Sequence, residues 1–288
     1  MSTTKIGWIG LGKMGIPMSQ QLVKAGYPVS VYNRSKGKED ILRSIGATTA
    51  STPALLLQQN EVIIIMVSDD KAIADIFNGE DGLLSANTNG KIIINMSTVS
   101  PAISRQMAEL CEKQDNHYLD APVSGSVKQA EEGTLVIMAG GNESAFEQAK
   151  PVLEKIGRLA MRVGETGAGN TAKLVINTLL GIHAQGLAEA VVFAQQNGIA
   201  ATDLLTLINN SALGSPFIKI KGDAINNDNY SAAFALKHIA KDLRLAKDLG
   251  LSTPLGEAAF TTFQRAETTL GDEDIIAVIK EIRKTESQ

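Results

Sequence analysis

The 288-residue sequence has only one cysteine, Cys111, so it can form neither an internal disulfide nor a thiolate set for zinc or an iron–sulfur cluster. Its three histidines and its carboxylates show no spacing typical of metal ligands, and we expect no bound metal. Long apolar runs are also lacking. The longest, Val62–Val67, has six residues, whereas a membrane span needs about 20. We therefore expect no membrane partner.

Charge of one sign is not in excess either. The chain has 27 Lys and Arg against 31 Asp and Glu, a net charge of −4. A nucleic-acid-binding protein usually carries a basic stripe, so we expect no nucleic-acid partner. Residues Met1–Lys5 lead directly into a glycine-rich turn, which leaves no room for the apolar core of a signal peptide. These features predict a cytoplasmic, globular protein whose length suits two domains.

The first 163 residues alternate short apolar runs with segments of helical spacing. Because the runs do not alternate apolar and polar residues, they are typical of strands buried on both faces. Repeated strand and helix predict an α/β domain of Rossmann type with a parallel sheet, which we assign to residues 1–163. The predicted strands are Lys5–Ile9, Val29–Asn33, Val62–Ser68, Ile92–Ser97, His117–Asp120 and Leu135–Ala139.

The character of the chain changes at Gly164. Residues Gly164–Gly169 resemble a flexible break, and the proline-free stretch Asn170–Gln196 predicts a helix about 40 Å long. That stretch is apolar nearly all round, which favours burial, in part against a partner subunit. We assign residues 164–288 to an all-α domain for substrate binding and oligomerisation, entered through this long interdomain helix. Further helices are predicted at Thr202–Ser211, Leu236–Leu249, Pro254–Leu270 and Glu273–Arg283.

A glycine fingerprint follows the first predicted strand. The segment Gly10-Leu11-Gly12-Lys13-Met14-Gly15 has the spacing G-x-G-x-x-G and opens a helix. In such a turn the first glycine permits the bend, the second admits a pyrophosphate and the third allows close helix packing. Amide donors and the partial positive charge of the helix N-terminus attract phosphate. We therefore predict that these six residues bind a dinucleotide.

The end of the second predicted strand indicates which dinucleotide binds. NAD sites usually place Asp or Glu about 20 residues beyond the fingerprint, where it holds the ribose hydroxyls. This chain has Asn33-Arg34-Ser35 there. Arg34 can pair with a 2′-phosphate through its fork of N–H groups, and Ser35 can donate a hydroxyl bond. The sequence thus predicts NADP(H) in preference to NAD(H).

Three later segments, together with the fingerprint, resemble the β-hydroxyacid dehydrogenase family, which includes 3-hydroxyisobutyrate dehydrogenase. Four motifs in the family's order, spanning nearly the whole chain, are far more specific than one. The later segments are Asp120-Ala121-Pro122-Val123-Ser124-Gly125-Ser126, Gly164-x-x-Gly167-x-Gly169-x-x-x-Lys173-x-x-x-Asn177 and Lys241-Asp242-Leu243-x-Leu245-Ala246.

The resemblance implies residue roles. Lys173 matches the catalytic lysine that exchanges a proton with the substrate oxygen. Asn177, the second catalytic residue, lies one helical turn further on the same face and can orient the substrate oxygen or the lysine. Ser124, Gly125 and Ser126 match the loop that binds the substrate carboxylate. The family often has glycine in place of Ser126, which leaves the substrate open.

Further matches border the cofactor. The resemblance places Lys241 near both the cofactor and the substrate carboxylate, with Asp242 as its support. Val67 and Ser68 end one predicted strand and Thr98 lies at the end of the next, and all three match positions beside the nicotinamide ribose.

The expected function is that of an NADPH-dependent oxidoreductase acting on a small aldehyde acid and its hydroxy acid. Succinic semialdehyde, glyoxylate and methylmalonate semialdehyde are the candidate substrates. Two alternatives stay open: an imine reductase-like enzyme, which Lys173 disfavours, and a non-catalytic NADP-binding sensor or scaffold. By the same resemblance we expect a homodimer or homotetramer.

Overall fold

A computed structural model of the chain describes residues 4–286. Within this range the chain forms two compact units, the first ending at Lys173 and the second beginning at Leu174. The expected domain boundary, between residues 163 and 164, lies slightly earlier in the chain.

The first unit contains one sheet, to which residues 4–286 contribute nine strands. Each of the six strands predicted from the sequence corresponds to one of them. The strands are β1 Ile6–Ile9, β2 Val29–Tyr32, β3 Thr48–Thr49, β4 Val62–Ile65, β5 Ile92–Asn95, β6 His117–Asp120, β7 Val123–Ser124, β8 Leu135–Gly141 and β9 Gly157–Gly164.

Helices connect these strands. They are α1 Gly15–Lys24, α2 Glu39–Arg43, α3 Pro53–Gln59, α4 Asp70–Asn78, α5 Pro101–Glu112, α6 Val127–Glu132 and α7 Glu143–Leu153, with a 3-10 turn at Leu83–Ala86. Side-chain caps define several of their starts; for example, Asp69 accepts from the Ala72 amide at the start of α4.

The sheet is mainly parallel, in the order β3-β2-β1-β4-β5-β6-β8-β7, with β9 beside β8. The Rossmann-type fold expected from the sequence is therefore confirmed. Two strands depart from the expected all-parallel arrangement, because β8 runs antiparallel to β6 and β7, and β9 runs parallel to β8. Most of β8 is buried, and a continuous apolar run has the same appearance whichever way the strand points.

Successive residues of the central strands belong to two different cores. Ile6 and Trp8 pack in one core with Ile64, whereas Ile9 packs in the other with Ile63. Because neighbouring strand residues point to opposite faces, the sheet is covered by apolar side chains on both sides. This arrangement explains why the strands have unbroken apolar sequences.

The second unit is helical. Its elements follow α8 Ala168–Gln196, whose first residues belong to the first unit: α9 Ala201–Asn209, α10 Pro216–Asn226, α11 Leu236–Asp248, α12 Pro254–Leu270 and α13 Val278–Glu286, with a 3-10 turn at Ile275–Ala277. A separate core fills this unit and includes Val191, Leu243 and Phe263. The sequence did not predict α10. Helices α9, α11 and α12 lie close to their predicted bounds, whereas α13 begins at Val278, five residues after its predicted start.

Helix α8 is the one element among the described residues that is long and apolar enough to cross a bilayer, judged by length and composition. About half of its most apolar stretch, 44%, is buried within the protein. Val175, Leu179 and Phe193 of this helix are exposed. The absence of a membrane partner therefore stays a prediction.

Candidate active site

The glycine fingerprint folds tightly between β1 and α1. Trp8 donates from its indole Nε1 to the carbonyl oxygen of Gly10 at 3.0 Å. A Cβ atom on Gly15 would lie 2.0 Å from the same oxygen, so only glycine fits there. Leu11 is 1% exposed and packs in the core. These contacts hold the loop against the strand.

The outer side of this loop is open. A Cβ atom on Gly12 would meet no other atom within 4 Å, and Gly12 and Lys13 are exposed while Met14 is half-buried. The space lies at the N-terminus of α1, where backbone amides and the helix dipole attract anions. These residues fit a pyrophosphate, since a side chain at position 12 would project into the space it needs.

Asn33 joins the fingerprint to the loop after β2. Its Oδ1 accepts from the Leu11 amide at 2.9 Å, and its Nδ2 donates to the Ser35 carbonyl at 2.7 Å. An aspartate here could accept the first bond but could not donate the second. Arg34 and Ser35 are exposed. The structure therefore explains the amide at position 33 and leaves the following arginine accessible.

Val67, Ser68 and Thr98 all lie just beyond the ends of parallel strands, since β4 ends at Ile65 and β5 at Asn95. The Val67 amide donates to Ser97 Oγ at 2.9 Å, which ties the two neighbouring loops together. Ser68 Oγ donates to Asp69 at 2.7 Å. Thr98 and Val67 are half-buried. These loops lie at the carboxyl edge of the sheet, where sheets of this type bind ligands.

Lys173 lies in the second turn of α8 and is 8% exposed. The start of this helix is fixed by Asp120, whose carboxylate accepts from the amides of Gly167 and Asn170 at 2.7 and 2.8 Å. Burial raises the pKa of Asp120, and these backbone bonds oppose the rise. A Cβ atom on Gly169 would lie 2.3 Å from the Asp120 carbonyl oxygen. The expectation of a flexible break at Gly164–Gly169 is therefore wrong.

Ser124, Gly125 and Ser126 follow one another from β7 into α6. Ser124 is half-buried, and Gly125 is exposed. Ser126 donates to Gln129 Oε1 twice, from its amide at 2.8 Å and from its hydroxyl at 2.5 Å. The serine that replaces the family's usual glycine thus begins helix α6, and its hydroxyl proton is already bonded within the loop.

In the second unit, Asp242 of α11 contacts two other predicted site residues. Asn177 donates from Nδ2 to Asp242 Oδ2 at 2.5 Å. Lys241 Nζ lies 3.2 Å from Asp242 Oδ1. Asn177 and Asp242 are 2% and 3% exposed and are therefore buried, whereas the side chain of Lys241 is 23% exposed. Asn177 also lies one helical turn beyond Lys173 on α8, as expected.

In the first unit, several buried polar residues around the start of α8 were not predicted as site residues from the sequence. Asn170 and Ser104 are fully buried and bonded to each other, from Asn170 Nδ2 to Ser104 Oγ at 3.2 Å. Asn170 lies within one of the family motifs but at a position without an assigned role, and Asp120 begins another. The sequence signal that could have identified Asn170 is its position as a polar residue directly after Gly167-Ala168-Gly169. Within residues 4–286, no group of three His, Cys, Asp or Glu side chains could hold a metal ion.

Both units match known families. Residues 5–167 match the NAD-binding domain of 6-phosphogluconate dehydrogenase. Residues 167–282 match the NAD-binding domain of NADP-dependent 3-hydroxyisobutyrate dehydrogenase. The fold, the glycine loop and these two matches together define a nicotinamide-dependent oxidoreductase.

Relatives agree over the full length. Glyoxylate/succinic semialdehyde reductase 1 of Arabidopsis thaliana is 35% identical, with 97% of this chain and 98% of the relative covered. The structure of Mycobacterium tuberculosis 3-hydroxyisobutyrate dehydrogenase with L-serine superposes with a TM-score of 0.90 at 30% identity, covering 98% of this chain and all of the other. The structure of Psf3 with NADP⁺ and 2-OPP has a TM-score of 0.86 at 26% identity, covering 96% and 99%. The chain belongs to the β-hydroxyacid dehydrogenase family and is an NAD(P)-dependent oxidoreductase acting on CH–OH groups.

Proposed function

We propose that this protein is an NADPH-preferring reductase of small aldehyde acids, with Lys173 as the proton donor. The observation that carries the proposal is a buried lysine on a helix start that a buried carboxylate and close backbone packing hold in place. A full-length relative named for glyoxylate and succinic semialdehyde supports this substrate class. Methylmalonate semialdehyde is a third candidate.

The cofactor preference rests on the loop after β2. Position 33 has no negative charge to repel a 2′-phosphate, because asparagine is neutral; both polar atoms of its amide are bonded within the protein. Arg34 offers a bidentate fork and Ser35 a hydroxyl donor to that phosphate. The NADP⁺ complex of Psf3 adds support. Gly10, Gly12 and Gly15 with their neighbours would hold the pyrophosphate, and Val67, Ser68 and Thr98 the nicotinamide ribose.

Lys173 handles the proton in the proposed reaction. When bound, the nicotinamide supplies the hydride for reduction of the aldehyde carbon. The Lys173 ammonium donates a proton from Nζ to the carbonyl oxygen, which becomes the product hydroxyl; oxidation reverses this transfer. General acid catalysis by a positioned side chain contributes roughly 10²- to 10⁴-fold. Burial of Lys173 excludes water, which would otherwise compete as the donor.

Substrate orientation is assigned to groups that can bind a carboxylate. Ser124 offers a hydroxyl donor and Gly125 a backbone amide in an exposed turn. Ser126 contributes by ordering this turn through Gln129. Asn177 and Lys241 are assigned to the substrate by family resemblance, and both are oriented by Asp242. Fixing the carboxylate turns reduction into an oriented, nearly unimolecular step.

A panel of aldehyde acids tests the proposal. Glyoxylate, succinic semialdehyde and methylmalonate semialdehyde are each mixed with the protein and NADPH, and the loss of NADPH absorbance is recorded. Steady oxidation with at least one of them is expected. Oxidation only with cyclic imines would favour an imine reductase. Tight NADPH binding without oxidation of any compound would favour a sensor or scaffold.

Cofactor choice needs its own measurement. Dissociation constants for NADPH and NADH are measured for the wild type and for Arg34→Ala, with Lys24→Ala on the same unit as the control. NADPH binding should be tighter in the wild type and should weaken about tenfold or more in Arg34→Ala, because a charge-assisted pair is lost. NADH binding should stay unchanged. Tighter binding of NADH by the wild type would reject the preference.

Assembly and location are further parts of the proposal. The exposed side chains of Val175, Leu179 and Phe193 on α8 favour a homodimer or homotetramer. Light scattering that gives a monomer mass would contradict it. The net charge and composition favour a cytoplasmic protein, which fractionation of the source cells checks.

A further inference from the structure

Asn170 connects two parts of the proposed reaction machinery within the first unit. It is completely buried, and it lies one helical turn before Lys173. Its Oδ1 accepts from the Val99 amide at 3.0 Å, directly after Thr98. A single side chain therefore bonds the segment beside the proposed nicotinamide ribose and belongs to the helix that carries the proposed proton donor.

The backbone and the second arm of Asn170 are fixed as well. Its amide donates to Asp120 at 2.8 Å, and its Nδ2 donates to Ser104 Oγ in α5 at 3.2 Å. Asp120 and Ser104 are also completely buried. These three bonds to three separate elements fix the position of Asn170. The first turn of α8 is fixed relative to β6, α5 and the loop after β5.

The bonds continue beyond Asn170 to the next loop. Ser104 lies beside Tyr118, whose hydroxyl accepts from Asn95 Nδ2 at 3.0 Å. Asn95 Oδ1 accepts from the Ser97 amide, and Ser97 Oγ accepts from the Val67 amide, both at 2.9 Å. Both proposed ribose-facing segments are thus joined to the start of α8 through buried side chains. Isolated buried polar groups are costly, whereas a satisfied network gives rigidity.

We infer that Asn170 is a positioning residue for the proposed reduction: together with Asp120 it sets the distance between the Lys173 backbone and the Thr98 segment. The inference rests on the proposed function. Asn170 itself contacts neither substrate nor cofactor in this role. Its effect should appear in the chemical step, because a displacement of about 1 Å in a reacting group can slow a reaction about 100-fold.

The experiment compares Asn170→Ala with a matched buried asparagine. Asn116 is 5% exposed; its Oδ1 accepts from the Lys91 amide at 2.9 Å, and its Nδ2 donates to the Thr88 carbonyl at 2.8 Å. It thus has the same kind of bonds, but beside the amino ends of β5 and β6. Asn116→Ala removes comparable bonds from the same unit without touching the proposed site.

Two readouts are taken on the full-length protein. The first is the single-turnover rate of NADPH oxidation with the fastest aldehyde acid of the panel, together with the dissociation constant for NADPH. Asn170→Ala should slow this rate by about 10- to 100-fold while NADPH affinity changes by less than about threefold. Asn116→Ala should stay within about twofold of the wild type. Equal rates in the two variants would overturn the inference.

The second readout, amide hydrogen exchange without cofactor or substrate, does not depend on activity. Asn170→Ala should accelerate exchange at residues 97–100 and 167–171 together, whereas Asn116→Ala should accelerate it at 88–91. Faster exchange at only one of the two Asn170 segments would reject the coupling. If the wild type oxidises no NADPH, the proposed function fails, and joint acceleration still shows the structural coupling.

A milder variant covers the case in which Asn170→Ala does not fold. Ser104→Ala keeps the Asn170 bonds to Val99 and Asp120; it removes the acceptor of Asn170 Nδ2 and the hydroxyl beside Tyr118. It should slow single turnover by about three- to tenfold and accelerate exchange at residues 97–100. Wild-type values for both quantities would count against the inference.

Discussion

Asn177 donates a hydrogen bond from Nδ2 to the buried carboxylate of Asp242 at 2.5 Å. Since this bond uses the amino end of the amide, it assigns the orientation of Asn177 and leaves Oδ1 as the acceptor. The same carboxylate faces Lys241 through its other oxygen. One buried acid therefore orients two residues that the family resemblance assigns to the substrate.

Replacing Asn177 by aspartate should make stability depend on pH. Asn177→Asp would place a second carboxylate beside Asp242, which raises the pKa of one of the two above its unfolded value. Stability relative to the wild type should then be best at acidic pH and fall as pH rises through the raised pKa. The loss should be roughly 1.4 kcal/mol for every pH unit by which that pKa exceeds its unfolded value. Melting temperatures from pH 4.5 to 8 measure this.

The double variant Asn177→Asp, Asp242→Asn is the control. It restores one amide and one carboxylate to the pair, so most of the pH dependence should disappear. A melting curve for Asn177→Asp that parallels the wild type at every pH would contradict the bond.

Lys173→Ala should abolish turnover and leave NADPH affinity nearly unchanged, since the lysine is proposed to donate a proton and not to bind the dinucleotide. The expected loss is about 10²-fold or greater. Lys71→Ala, whose side chain is 82% exposed, is the control and should behave as the wild type. Steady-state rates and fluorescence titrations measure both. An alanine variant with the wild-type rate would remove Lys173 from the mechanism.

The second and third glycines of the fingerprint should respond differently to alanine. Gly15→Ala places a Cβ atom 2.0 Å from a carbonyl oxygen and should destabilise the protein by about 1–3 kcal/mol. Gly12→Ala meets no neighbour, so its stability should change by less than about 0.5 kcal/mol. It should nevertheless weaken NADPH binding about tenfold, because the methyl group enters the proposed pyrophosphate space. Urea unfolding and titration separate the two effects, and equal stability losses would refute the distinction.

Cys111 should be unreactive in the native protein. It is 2% exposed, and burial raises the pKa of its thiol to about 12. The nucleophilic thiolate is therefore scarce up to about pH 9. Reaction with a thiol reagent should be negligible in buffer and complete in guanidinium chloride. Rapid labelling of the folded protein would disprove this.

A buried ion pair should stabilise the helical unit more than an exposed one. Asp274 accepts from Lys221 Nζ at 2.7 Å and from the Ala233 amide at 3.1 Å, whereas the Lys237–Asp272 pair is exposed. Asp274→Ala leaves a buried ammonium unpaired and should cost about 3–5 kcal/mol. Asp272→Ala should alter the denaturation midpoint little. Similar denaturation midpoints for Asp274→Ala and Asp272→Ala would contradict this prediction.

The elements that the sequence predicted well are those whose burial can be inferred from the local amino-acid composition. Continuous apolar runs located six strands because both faces of the sheet are covered. The fingerprint glycines were interpreted correctly in their packing role, since Gly15 packs against the backbone oxygen of Gly10 in the same short segment. Helix α10 was missed because Gly214 and Ser215 before it and Pro216 at its first position are typical of a loop.

The remaining errors concern contacts between distant parts of the chain. Gly164–Gly169 was expected to be flexible because glycine is permissive, yet Asp120 binds this segment across some 50 positions of sequence. The direction of β8 depends on its pairing with β6, and the local sequence does not indicate how two strands pair. The spacing of Ser126 and Gln129 is typical of a helix-capping pair, whereas the family resemblance assigned Ser126 to the substrate.

The single tryptophan gives the protein an internal optical reporter. Trp8 is completely buried, and its indole group bonds directly to Gly10 of the loop proposed to receive the pyrophosphate. Indole emission therefore comes from one position, and the absorption band of a reduced nicotinamide overlaps it. Occupancy of the loop can be followed by quenching without any label, even in variants that have lost all turnover.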